Sequence, residues 1–392
     1  MSVPQPQKKM QTPLPIPLNP SLLTWARNES GYHIDRVAKR LGVKPDRVEE
    51  WESGERVPTL RQIQELAKFL HRPLNVFFLS TPPTIPALST EYRRLPGITP
   101  GDESPELRLA LRQMINRRES ALDLMDELGD SVHDFSLLAH LHEDARIVGA
   151  RLRTALSVSV ATQLTWRDDY HAWREWRAAA ESLNVLVFQY SGIALASARG
   201  VSLLKLPMPV VGINSKEQPD SCNFTLMHEL VHIMLAAGHD ELPASQETRS
   251  NSEWTKVERF AELAASHALV PEDTLREAIS QHSGVWDIAI VRSLARRFRI
   301  TPLAMATRLR SSDFMTWSEY NVWRDQWKTY TDALPEKKGG FVTPVLTALG
   351  RNGRYYTRLV IEALDSNRIT SVDASRYLGL KFQHMDKLRI TL

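Results

Sequence analysis

The chain has 392 residues, 42% of them hydrophobic and 24% charged, the balance of an ordinary globular protein too long for one typical core. A net charge of +3 excludes nucleic-acid binding as a property of the whole surface, so any such binding must be local. The single Cys222 excludes an internal disulfide and suits a reducing cytosol. With no apolar run of membrane-spanning length and no signal-peptide core, a cytoplasmic protein of two or three domains is expected.

Residues 1–20 hold six prolines among polar and basic residues and read as a disordered leader. Short helical segments follow over Leu22–Glu29, Ile34–Arg40 and Pro45–Glu52, with a turn at Leu41-Gly42-Val43. Gly54 ends the third helix, Thr59 caps a fourth that runs to Leu70, and Leu74–Leu79 completes the unit. Ala38-x-x-Leu41-Gly-Val43 and Trp51-Glu-Ser-Gly54-x-x-x-Pro58-Thr59 resemble the XRE (Cro-like) helix-turn-helix. That resemblance implies an all-helical DNA-binding domain over 21–85 whose third helix enters the major groove. Lys44 and Arg47 are the cations nearest the start of that helix, and the DNA-binding candidates. Asp46, Glu49, Glu50 and Glu52 make the same helix acidic. Residues 20–85 carry ten Lys+Arg against eight Asp+Glu, so weak operator binding is expected unless the protein dimerises. The other reading is a protein-interaction module.

Pro82-Pro-Thr-Ile-Pro86 links this unit to Tyr92-Arg-Arg-Leu-Pro96 and to a helical region over 86–165. A long helix is expected from Ser104 to Leu128. Its Leu107, Leu111, Met114, Arg118, Ala121, Met125 and Leu128 alternate four and three apart, a stripe for packing on a neighbouring domain or for a homodimer seam. A further helix is expected over His133–Leu156. Trp166, Tyr170, Trp173 and Trp176 then mark the core face of another, ending near Leu183. Strand candidates follow at Val185–Tyr190, Val201–Leu206 and Val210–Ile213. The last of them leads into the motif helix, and a sheet edge there would suit an extended peptide.

That motif is Phe224-Thr-Leu-Met-His228-Glu229-Leu-Val-His232-Ile-Met-Leu235, an H-E-x-x-H inside an apolar run. On a helix, positions i and i+4 share a face, so His228 and His232 can offer two imidazoles to one metal ion. Glu229 can then reach a water without displacing it. The alternative is a pair of satisfied core histidines. A third ligand is needed, and His239 is one place out of the pattern that would supply it downstream. Glu258, on a second helical run ending at Pro271, completes a His-His-Glu set of the kind that binds zinc. Cys222 reads either as a thiolate cap on the metal or as a small apolar residue.

Phe224–His232, Glu258-Arg-Phe-Ala261 and Leu269-Val-Pro271 resemble the signature of the ImmA/IrrE metallopeptidases. There F-T-L-x-H-E-L-x-H is followed by E-x-x-A-N-x-x-A and L-x-P. Glu262 stands where that family has asparagine, and the resemblance makes Glu258, not Glu262, the third ligand. His267 lies half a turn out of phase and is expected to pack. The resemblance implies a zincin-like peptidase over 166–310, with attack by zinc-activated water and Glu229 as general base. The implied substrate is a folded DNA-binding repressor, cut at one site in response to stress or a mobile-element signal.

Ser293–Leu309 has a helix–turn–helix rhythm, Trp317, Tyr320, Trp323 and Trp327 form an aromatic face, and Gly339-Gly340 marks a break. The tail offers helices at Tyr355–Leu364, Ser371–Leu378 (capped by Thr370) and Lys381–Leu388. Residues 336–392 carry ten Lys+Arg against five Asp+Glu, which makes 311–392 a helical, basic C-terminal region. It either adds phosphate contacts or caps the peptidase domain. The fold class expected is mainly α with a small sheet (α+β). The function expected is a DNA-binding regulator with a zinc peptidase. A metal-sensing transcription factor that never cleaves peptide and a toxin–antitoxin component are the alternatives.

Overall fold

The computed structural model describes residues 18–335 and 342–392, which leaves all but the end of the expected leader, and Gly339-Gly340, outside the described residues. The protein is mainly α with one small sheet, and it divides into two compact units. One comprises residues up to Pro86 together with Asp102–Leu109; the other comprises Ala87–Gly101 and Ala110–Leu392, so the chain passes between them three times.

The first unit is built from α1 (Pro20–Glu29), α2 (Ile34–Leu41), α3 (Pro45–Ser53) and α4 (Leu60–Phe69). Local signals set each end. Asn19 accepts from the Ser21 amide, and Gly42 and Gly54 close α2 and α3 in the left-handed conformation. Thr59 and Gln62 form a reciprocal capping box. Leu23, Val37, Val48, Trp51, Ile63 and Phe77 fill the core. The segment that completes the unit is a 3₁₀ turn over Leu74–Phe78, which seats Phe77 in that core.

The second unit starts from α5 (Pro105–Leu128), whose first turn belongs to the first unit. Leu111, Met114, Arg118, Ala121 and Met125 are buried, so the alternating stripe is spent inside the protein and is not free to form a dimer seam. Arg118 is satisfied there by the carbonyls of Met208 at 2.8 Å and Leu206 at 2.9 Å. The helix expected over His133–Leu156 is only half present. Residues 130–144 are irregular, and α6 (Ala145–Ala155) starts at its cap Asp144. The apolar residues of the irregular half suggested a helix, but its backbone bonds elsewhere: Ala139 N donates to Met234 O, and Leu141 N to Asp240 Oδ2.

After α7 (Val160–Thr165) and α8 (Asp169–Glu181) come β1 (Leu186–Tyr190), β2 (Gly200–Leu203) and β3 (Val210–Asn214). Trp166 and Trp176 meet edge to face in the core, whereas Tyr170, expected beside them, is 67% exposed. The sheet order is β1-β3-β2, with β1 parallel and β2 antiparallel to β3. The strand that leads into the motif helix is therefore central, and β1 and β2 are the two edges.

The motif helix α9 (Pro219–Ala237) is apolar on nearly every side because it packs against α8, β2, β3 and α10 (Asn251–Leu269). α6 lies against α10 where Gly149 lets the two backbones approach closely. The remaining helices are α11 (Glu272–Ala278), α12 (Ile288–Phe298), α13 (Pro302–Ser311), α14 (Trp317–Asp332), α15 (Pro344–Asn352), α16 (Arg354–Asp365), α17 (Ser371–Leu378) and α18 (Met385–Thr391). On α14 Trp323 is buried and stacks on Trp327, while Trp317 points outward. The tail covers the sheet: α15 packs on β1, Arg177 of α8 donates to Gly350 O, and Tyr356 meets Phe188 edge to face. Among the described residues no helix is long and apolar enough to cross a membrane.

Candidate metal centre

His228 and His232 lie on the same face of α9, as i and i+4 positions must. Their Nε2 atoms are 3.0 Å apart, and Glu258, reaching over from α10, brings Oε2 to 3.3 Å from His228 Nε2 and Oε1 to 3.7 Å from His232 Nε2. Four ligands at about 2.1 Å around a tetrahedral ion lie about 3.4 Å from one another, so these donors fit zinc. The set is built, not incidental. His232 is fully buried, its Nδ1 is 2.6 Å from Glu241 Oε2, and Trp254 lies parallel to its ring. A proton on Nδ1 leaves the Nε2 lone pair aimed at the cluster. Burial first, then the charges of Arg93 and His228, hold the His232 imidazole well below its usual range, which keeps it neutral.

Glu229 sits one residue beyond His228 and is 1% exposed. Burial alone would raise its pKa, but Arg93 overrides this and brings the carboxyl down to about 2. Arg93 itself is 2% exposed. Its Nε and Nη2 donate to Glu229 at 3.0 and 2.9 Å, while Nη1 donates to Glu258 Oε1 at 3.0 Å. Ser202 Oγ of β2 also donates to Glu229 Oε2. The same guanidinium depresses Glu258 against the effect of burial. One buried cation thus offsets one of the two carboxylate charges, and Glu258 keeps 19% of its side chain exposed.

The other expected residues fall elsewhere. Glu262 is exposed, and His267 packs against Arg308, whose Nη2 is 2.9 Å from its Nδ1. His239 lies in the loop after α9, and Cys222, whose thiol burial pushes up, lies near Glu217 O and outside the cluster. Sequence reasoning missed Arg93 and Glu241. Arg93 is 136 positions from Glu229 and has no local motif. Glu241 lies in an aperiodic loop, where only its place nine residues past His232 hints at a role.

On the first unit, Lys44 is exposed at the N-cap of α3, and Arg47 is held 2.9 Å from Glu50, which also pairs with Arg56. Part of the positive charge at the start of α3 is therefore neutralised internally.

Residues 180–310 match the family model described as the IrrE N-terminal-like domain, and residues 23–77 match a helix-turn-helix model. No curated protein matches the chain. The chain thus carries a helix-turn-helix domain and an IrrE-like, metallopeptidase-like domain, and the candidate cluster lies inside the IrrE-like match over residues 180–310.

Proposed function

We propose that the protein is a DNA-binding regulator whose second unit is a zinc-dependent peptidase that cuts a partner protein, a DNA-binding repressor. The observation that carries this reading is the convergence of His228, His232 and Glu258 beside Glu229 on one helix pair. Zinc bound there would supply Lewis-acid polarisation of a carbonyl and an acidified water. The two histidines would present neutral Nε2 atoms, with Glu241 fixing the tautomer of His232, and Glu258 would add a carboxylate. Glu229 would take a proton from the attacking water and pass it to the leaving amine. Lys44 and Arg47 would contact DNA, weakly in the isolated unit because α3 is acidic, with phosphate contacts from the basic tail as a supplement.

A non-cleaving metal sensor is the second reading, favoured by the occupation of Glu229 by Arg93. The deciding experiment incubates the purified protein and its Glu229→Gln form, both assayed for zinc, with purified candidate repressors. A discrete fragment from the wild type alone, lost on chelation, is expected. The same fragment from both proteins would remove Glu229 from the chemistry, and none from either would favour the sensor.

A further inference from the structure

β2 is a sheet edge, yet its outer side is taken. Arg93 N donates to Ser202 O at 3.1 Å and Leu204 N to Glu91 O at 3.0 Å, an antiparallel pairing centred on Tyr92 and Leu203. On its other side the same segment receives a bond from Ala244 N to Tyr92 O at 2.8 Å. Glu91–Arg93 therefore lies as a short extra strand between β2 and the loop after α9, and it delivers Arg93 to Glu229 and Glu258. Both oxygens of Glu229 are engaged by that guanidinium, and Ser202 takes a further lone pair. Three of the roughly four acceptor sites of the Glu229 carboxylate are thus taken, both on Oε2 and one on Oε1, which leaves it poorly placed to hold a water.

We propose that Glu91–Arg93 is a releasable strap that fills the strand edge and holds the two carboxylates an extended peptide substrate would need, so that the site is closed until the strap leaves β2. This rests on the peptidase reading above and specifies its regulation. Peptide substrates that bind by strand addition use the backbone positions the strap uses here. The backbone attachment is short, two hydrogen bonds to β2 and two to the loop after α9, and the buried Tyr92 and Arg93 anchor it, so release of the Arg93 ion pairs is the step that lets the strap peel without opening the sheet. Its position in the chain suits control. Residues 87–101 are preceded and followed in sequence by residues of the helix-turn-helix unit, so a change in that unit bears on both ends of the strap.

The test uses the full-length, zinc-loaded protein, its Arg93→Gln form, and Arg93→Lys, which keeps the charge but not the fork and guards against misfolding. In hydrogen exchange, the amides of Arg93, Leu204 and Ala244 should open at least about tenfold faster than those of β3. They should open about tenfold faster again in Arg93→Gln, with β3 unchanged. Exchange of these amides only together with β3 in every form would overturn the proposal. A fluorescein-labelled peptide with the sequence of residues 88–96 should bind Arg93→Gln at least about tenfold more tightly than wild type, because its arginine restores the missing ion pairs. The same peptide with glutamine in place of that arginine should not. Equal, weak binding of both peptides to a variant whose strap opens would also overturn it. Zinc analysis of the same samples judges the metal site separately: strap opening and peptide capture without zinc would retain the strap and remove the peptidase reading.

Discussion

Replacing Glu241 by alanine removes the carboxylate that touches His232 Nδ1, and the cost can be worked from the geometry. The contact is 2.6 Å between side chains that are both fully buried, so no water stands ready to replace it. A charge-assisted hydrogen bond in such a setting contributes about 1.5–3 kcal/mol, which corresponds to a loss of zinc affinity of roughly 10–150-fold. Glu241→Gln keeps an acceptor but not the charge, and should lose about a third to half of that free energy, roughly 3–10-fold. Competition with a fluorescent zinc chelator at neutral pH measures both variants against wild type. The metal-free proteins should behave differently. Burial raises the Glu241 carboxyl well above its ordinary pKa, a sign that the fold gains little from burying it, so the metal-free melting temperature should hardly fall. A Glu241→Ala protein that binds zinc within about threefold of wild type would refute the assigned role.

Two further outcomes follow from packing and burial. Gly149→Ala would drive a methyl into the Ala264 carbonyl and to 2.9 Å from His267 Cβ, and should destabilise the protein by about 1–3 kcal/mol; an unchanged denaturation midpoint would refute the close contact of α6 and α10. His267 is depressed from 6.5 to about 4, first by burial and then by Arg308. The unfolded chain therefore binds the extra proton, and stability present above pH 6.5 should decline towards pH 4 by about 2 kcal/mol after screening; His267→Gln should flatten that part of the pH–stability curve.

The helices of the first unit could be read from the sequence because their ends are written locally. Gly42, Gly54 and the Thr59–Gln62 box each act within a turn of the residue that carries them. The His228–His232 pair was legible for the same reason, since helical spacing alone puts both on one face. Glu258 needed a second helix and a family signature. What was not legible depends on pairing at a distance. The central place of β3 follows from β1 pairing past β2, and no residue within β3 announces it. Residues 133–144 have apolar spacing compatible with a helix, but the carbonyl of Met234 and the carboxylate of Asp240 claim their amides. Arg93 could not be placed because its partners are defined only once the edge of β2 is known.

The interleaved path of the chain makes the two units inseparable by a single cut. A fragment that stops at residue 85 lacks Arg108, which donates to Asn28 O and lies against Gly31 at the end of α1. A fragment that starts at residue 110 loses the segment paired with β2 and leaves Glu229 buried without its cation. A graft of this peptidase-like unit onto another protein must therefore carry residues 87–101 with it, while residues 102–109 stay with the helix-turn-helix donor. Transplanting either half intact calls for three junctions, at 86/87, 101/102 and 109/110.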